Sequence, residues 1–191
     1  DYFFSQWVIN NPHIENTRII GNSPDDPDYG SVILITPDSE ECISPEIIGF
    51  TIQNGGGTSV TRINDDQEYQ VRLGGGILSD VSDPLIHYNQ FVHNGDNNEV
   101  YQGGGAYLTS GAEDWDFNDR FNTTSRCEID TLRISNNLYD FNEAMYGNSF
   151  ANTLHEDAID MSGSIFDVFD CDNEESAVSL VWVKVEPAAS V

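Results

Sequence analysis

The stretch LGGGILSDVSDPLIHYNQFVHN, Leu73–Asn94, sets three glycines before a short apolar run, then Pro84, Ile86, Phe91 and Asn94. The arrangement recurs. NPHIENTRIIGN from Asn11, SPEIIGFTIQN from Ser44, DPLIHYNQFVHN from Asp83 and RCEIDTLRISNN from Arg126 align on Pro12, Pro45, Pro84 and Cys127. Two residues later stand Ile14, Ile47, Ile86 and Ile129; seven later stand Ile19, Ile52, Phe91 and Ile134. Asparagine follows at Asn22, Asn54, Asn94 and the pair Asn136 and Asn137. Three of the segments follow a glycine-led run: YGSVILI from Tyr29, LGGGILS from Leu73 and QGGGAYL from Gln102.

The units are unevenly spaced, at 33, 39 and 43 residues. The excess falls in polar segments, 58–71, 95–102 and 109–125. A stacked repeat tolerates insertions of that kind, because they leave the stacking elements untouched. Period-2 pairs such as Phe50 and Ile52, or Val32 and Leu34, predict strands with those residues inward. The best helix candidate is FNEAMYGNSFANTLHEDAIDM (141–161), weakened by Gly147 and three asparagines.

Short strands stacked unit on unit predict an all-β solenoid of about four coils. Ile14, Ile47, Ile86 and Ile129 would form one interior ladder, and Ile19, Ile52, Phe91 and Ile134 a second. Each buried isoleucine is worth ~1.5–3 kcal/mol, and no single coil can bury its own inner face. Gly74–Gly76 reads as a corner. A phosphate-loop reading fails because no lysine and no helix follow. Asparagine suits corners because it tolerates left-handed backbone and bonds along ladders of its own kind.

The 191 residues carry 33 acids against 7 bases, a net charge of −26, with Lys184 the one lysine. Such a surface repels nucleic acid and anionic lipid. It suits solvation, salty surroundings or divalent cations. No run reaches the ~20 apolar residues of a membrane span. The opening DYFFSQWVINN and the ending VKVEPAASV fit a mature chain or a piece of a longer one. Cys42, Cys127 and Cys171 match no zinc motif, and their odd number leaves a thiol over. An Asn122-Thr-Thr sequon says little, since such triplets are common.

At IIGFTIQNGGG, LGGGILSDVSDPLIHYNQFVHN and GGGAYL the chain resembles the right-handed parallel β-helix repeat proteins of the pectin-lyase-like fold. The resemblance covers roughly residues 8–150. It implies an all-β, right-handed parallel β-helix with long inserted loops over 1–150, and a divergent coil or cap over 151–191. Similar proteins are large secreted or surface bacterial proteins, so an extracellular or cell-surface location and further domains are implied. The motifs are specific for fold and weak for activity.

Polysaccharide lyases of this kind use a carboxylate-held calcium with Arg or Lys as base; hydrolases use paired carboxylates. Arg62, Arg72, Arg120, Arg126, Arg133 and Lys184 are available as bases. Arg133, one residue before an inward Ile134, should point outward. NDDQE (64–68) offers Asp65, Asp66 and Glu68 as metal ligands, with calcium the cofactor they would suit. EDWDFND (113–119) offers Asp114, Trp115, Asp116, Phe117 and Asp119 for ligand contact, since aromatic faces stack on sugar rings beside hydroxyl-binding acids. The plainer reading of this loop is a solvated segment whose aromatics pack on the wall. The EF-hand spacing is absent. His13, His87, His93 and His155 form no metal or triad pattern and read as ordinary surface or partly buried histidines. The expected function is a non-catalytic scaffold for adhesion or glycan contact. The alternative is a polysaccharide lyase or glycoside hydrolase, or a fragment of one.

Overall fold

The structure, a computed structural model, describes residues 11–21, 25–26, 28–37, 42–64, 67–95, 99–109, 115–116, 131–154, 159–166 and 178–182. A short helix, α1 (Pro12–Asn16), opens the described chain. Proline sits in its first turn, and the Asn11 side chain accepts from the His13 amide at 3.0 Å. Everything after it is strand and turn. The first strands are β1 (Arg18–Ile20), β2 (Tyr29–Gly30), β3 (Ile33–Ile35), β4 (Glu46–Ile48), β5 (Thr51–Gln53), β6 (Gly57–Asn64) and β7 (Gln67–Leu73). Then come β8 (Ile77–Ser79), β9 (Leu85–His87), β10 (Gln90–Val92), β11 (Val100–Gln102), β12 (Ala106–Thr109) and β13 (Trp115–Asp116). The last are β14 (Leu132–Arg133), β15 (Leu138–Asp140), β16 (Phe150–Leu154), β17 (Ile159–Asp160), β18 (Ile165–Phe166) and β19 (Val178–Trp182).

The chain is all-β, and three of its sheets are wholly parallel. The first runs β1-β5-β10-β15-β18, the second β4-β9-β14-β17, the third β3-β8-β12-β16-β19. In the first, Ile19, Ile52, Phe91, Tyr139 and Phe166 stand level across five strands. The last three rings stack, with centroids 4.8 and 5.1 Å apart. In the second, Ile47 stands level with Ile86. In the third, Ile33, Ile77, Ala106, Phe150 and Val178 are in register. Buried side chains from all three sheets join in one cluster that includes Ile47, Ile52, Ile77, Phe91, Ile134 and Phe150.

The interior ladders differ from expectation in three places. Ile14 is buried but lies in α1, not on a strand. Ile129 falls outside the described residues. Ile134 is buried, but one rung position earlier than the alignment on Cys127 puts it. Arg133 pairs with Leu85, which sets Ile134 beside Ile86, and Tyr139 takes the place beside Phe91. The last unit is therefore offset by 48 residues, not 43. In β3 it is Ile33 and Ile35, not Leu34, that meet the main cluster; Leu34 packs on the opposite face. The third sheet is buried on both faces, so alternation does not distinguish its sides. The described residues of 141–161 hold no helix: they end a turn, form β16 and enter β17. Two of its asparagines, Asn142 and Asn148, accept backbone hydrogen bonds at turns, while Asn152 is buried on β16.

Buried asparagines explain the corners. Asn89 Oδ1 accepts from the Phe50 amide at 3.0 Å, and its own amide donates to Asn137 Oδ1 at 2.9 Å. One corner further, Asn94 Oδ1 accepts from Gly55 at 3.1 Å and its amide donates to Asn142 Oδ1 at 3.0 Å. All four side chains are buried. The residue before each of these asparagines has left-handed backbone: Tyr88, His93, Asn136 and Phe141, with φ of 51–57°. Gly49, Asn54 and Gly163 continue these rows on neighbouring rungs, also with positive φ. The left-handed residue turns the chain, and the asparagine satisfies the backbone groups the turn exposes to the interior. Gly75 serves a third corner by close approach: a Cβ there would run into the Gly104 carbonyl oxygen.

Candidate functional site

The polar insert 58–71 is an antiparallel hairpin, β6 on β7, registered from Thr58↔Leu73 to Asn64↔Gln67. It lies over the third sheet. Val60 and Leu73 from the hairpin bury against Leu78, Tyr107 and Ala151 of that sheet. Arg62 fastens it: Nη2 donates to the Tyr107 hydroxyl at 3.1 Å, and the guanidinium sits 5.7 and 5.9 Å from the Tyr101 and Tyr107 ring centroids. β11 adds to β7 in parallel, while β13 and β2 add to β6 antiparallel, making a fourth, mixed sheet.

Beside this hairpin opens a cleft of about 390 Å³, lined by Asp28, Ser59, Gln70, Val71, Arg72, Glu99, Val100, Tyr101 and Met145. That volume falls in the ~300–1,000 Å³ range of small-molecule sites. Arg72 is fixed at its wall: Nη1 donates to the Gly57 carbonyl at 3.0 Å, and Nε lies 3.9 Å from Glu99 Oε2. The Ser59 amide donates to the Asp28 carbonyl at 2.7 Å, which holds the Asp28 turn against β6. Tyr101 meets Tyr146 edge to face at 5.3 Å. Met145 and Tyr146 are about half exposed, as is Phe141 in the same loop, whose ring stacks on His93 at 5.1 Å. The cleft thus combines two carboxylates, a guanidinium, an amide and a hydroxyl with an apolar wall. It continues into a loop bearing exposed aromatic and thioether surface.

The sequence candidates are distributed around this hairpin. Asp65 and Asp66 belong to the connection between β6 and β7 and lie outside the described residues; Glu68 is exposed on β7, level with Ile63. Trp115 pairs with Arg62 and Asp116 with Thr61, so that segment forms an outer strand of the same sheet. Asp114, Phe117 and Asp119 lie outside the described residues. Among the described residues, no three His, Cys, Asp or Glu groups are placed to share a metal ion, and no helix is long and apolar enough to cross a membrane. Cys42 is disulfide-bonded. Cys127 and Cys171 lie outside the described residues. The chain matches no family model, no curated protein and no solved structure.

A second group of charges lies on the outer face of the second sheet. Arg133 is exposed, as its place beside Ile134 requires, and its Nη2 lies 3.8 Å from Asp83 Oδ2. His87 shares the face. Partial burial holds its pKa below the usual histidine value; the Glu46 carboxylate opposes that shift and the Arg133 charge adds to it. Of the cleft residues, the sequence singles out only Arg72, as one of several available bases. Glu99 and Tyr101 sit in GDNNEVYQ, which reads only as a polar insertion, and Asp28 and Met145 carry no motif.

Proposed function

We propose that the chain is a right-handed parallel β-helix module of the secreted or cell-surface type, a non-catalytic scaffold that contacts glycan through the hairpin cleft. The parallel registers, the shared core and the two asparagine rows support the coil reading, since each strand finds its partner one unit away along the chain. A disulfide at Cys42 supports an oxidising, extracellular setting. The observation that carries the glycan reading is the cleft itself, with its polar rim and its apolar wall of Val71, Val100, Tyr101 and Met145. Asp28 and Glu99 at its rim would tolerate calcium without requiring it.

A second reading, lyase or hydrolase, draws on the Arg133, Asp83, His87 and Glu46 group, where a base and carboxylates share one outer face. Two measurements separate them. Affinity electrophoresis of the whole chain in polysaccharide gels should show retardation by at least one glycan. Incubation with acidic and neutral polysaccharides, with and without calcium, should release neither unsaturated uronate, read by its absorbance, nor new reducing ends. Turnover in either assay would replace the scaffold reading by the enzymatic one. Migration unchanged in every gel would remove the glycan reading.

A further inference from the structure

The charges of the cleft select among glycans, an inference that rests on the glycan-contact reading above. Of the residues lining it, Asp28 and Glu99 are acids and Arg72 is the one base. Arg72 is partly engaged. One of its terminal nitrogens is bound to the Gly57 carbonyl, and its Nε faces Glu99. With one terminal nitrogen on a carbonyl and the Glu99 charge beside Nε, this guanidinium is a weaker receptor for a uronate carboxylate than an unopposed arginine fork. An incoming carboxylate would also face Asp28 and Glu99, on a chain whose net charge is −26. What the cleft does offer is acceptors and donors for hydroxyls: the two carboxylates, the Gln70 amide and the Ser59 hydroxyl. Val71, Val100, Tyr101 and Met145 supply the apolar surface that the C–H face of a sugar ring would cover.

We infer that this cleft binds an uncharged glycan through its hydroxyl groups and discriminates against polyuronates. The test uses the full chain and isothermal titration with xylohexaose, cellohexaose, mannohexaose, hexagalacturonate and a chitosan hexamer. Amide chemical shifts of the wild-type protein locate the site, so the result does not depend on any variant folding. At least one uncharged hexamer should bind and move the amides of Arg72, Glu99, Val100 and Met145. Glu99→Gln should weaken that binding about tenfold, the loss of one charge-assisted hydrogen bond. Glu15→Gln, exposed on α1 and away from the cleft lining, should leave it unchanged. Tighter binding of hexagalacturonate or the chitosan hexamer than of every uncharged hexamer would overturn the inference and leave glycan contact standing. So would shifts confined to residues away from the cleft. Binding of none of the five would overturn both.

Discussion

Asn94 has no exposed surface, and both ends of its amide are engaged. Nδ2 donates to the Ile52 carbonyl at 2.8 Å, and Oδ1 accepts from the Gly55 amide at 3.1 Å. Asn94→Ala strips a buried donor and a buried acceptor of their partners at once, which should cost about 2–4 kcal/mol. The midpoint of urea unfolding checks it; a shift worth less than about 0.5 kcal/mol would mean that water or a backbone adjustment replaces the side chain. Tyr139 presents the opposite case. Its ring is buried between Phe91 and Phe166, but its hydroxyl has no hydrogen-bond partner, and burial pushes its pKa far above the usual phenol value. Tyr139→Phe removes a desolvated, unpaired group, so the variant should equal or exceed the parent in stability by up to about 1 kcal/mol. Loss of stability in the same unfolding measurement would reveal a partner for that hydroxyl. At His87 the folded pKa lies below the unfolded value of 6.5. The stability this confers is complete above that pH and declines as pH falls from 6.5 through the folded value, because the unfolded chain binds the proton first. Titration of the His87 ring by NMR should place its midpoint below 6.5. Glu46→Gln should lower it further and Arg133→Gln should raise it, since those charges act in opposite directions. The reverse pair of shifts would show that the charges do not reach the ring.

At the scale of elements, the register of β5 on β10 is the sharpest claim. Gln53 stands level with Val92 on adjacent parallel strands. Cysteines at both positions, Gln53→Cys with Val92→Cys, should oxidise to a disulfide that peptide mapping under non-reducing conditions detects. A slip of one residue would turn one of the side chains to the other face of the sheet and prevent the link. This register was legible in the sequence, since Ile47 and Ile52 repeat in Ile86 and Phe91 with the same separation. The following unit was legible too, but only through its asparagines. Ile86-x-x-Asn89-x-Phe91-x-x-Asn94 repeats as Ile134-x-x-Asn137-x-Tyr139-x-x-Asn142, whereas the isoleucine spacing alone also fits Ile129 with Ile134. An apolar pair can be slid along an apolar-rich chain; a buried asparagine cannot, because its hydrogen bonds fix its place. The cleft was not legible. It is assembled from a hairpin and three other segments, at Asp28, at Glu99–Tyr101 and at Met145, and none of them has a reason to be near the others until the third sheet is built.

For the whole molecule, charge is the dominant departure from an ordinary domain. Thirty-three acids against seven bases means that folding brings like charges together. Salt shortens the reach of that repulsion, to about 10 Å at 0.1 M and about 3 Å at 1 M. The melting temperature should therefore rise steadily between low ionic strength and about 0.5 M sodium chloride. A flat or falling curve would mean that the acids are paired in the folded state, and that the two ion pairs described, Arg72 with Glu99 and Arg133 with Asp83, understate their pairing.

The level rows of Ile52, Phe91 and Tyr139 join residues 39 and then 48 positions apart in the chain. Each new strand gains its partners only after a loop of that length has closed, so the entropy of closure precedes the contacts that offset it. During synthesis β5 has no β10 to pair with until the ribosome has added the whole intervening segment. Its apolar face and unbonded edge wait through that interval, the condition in which a nascent chain depends most on dilution or on a chaperone.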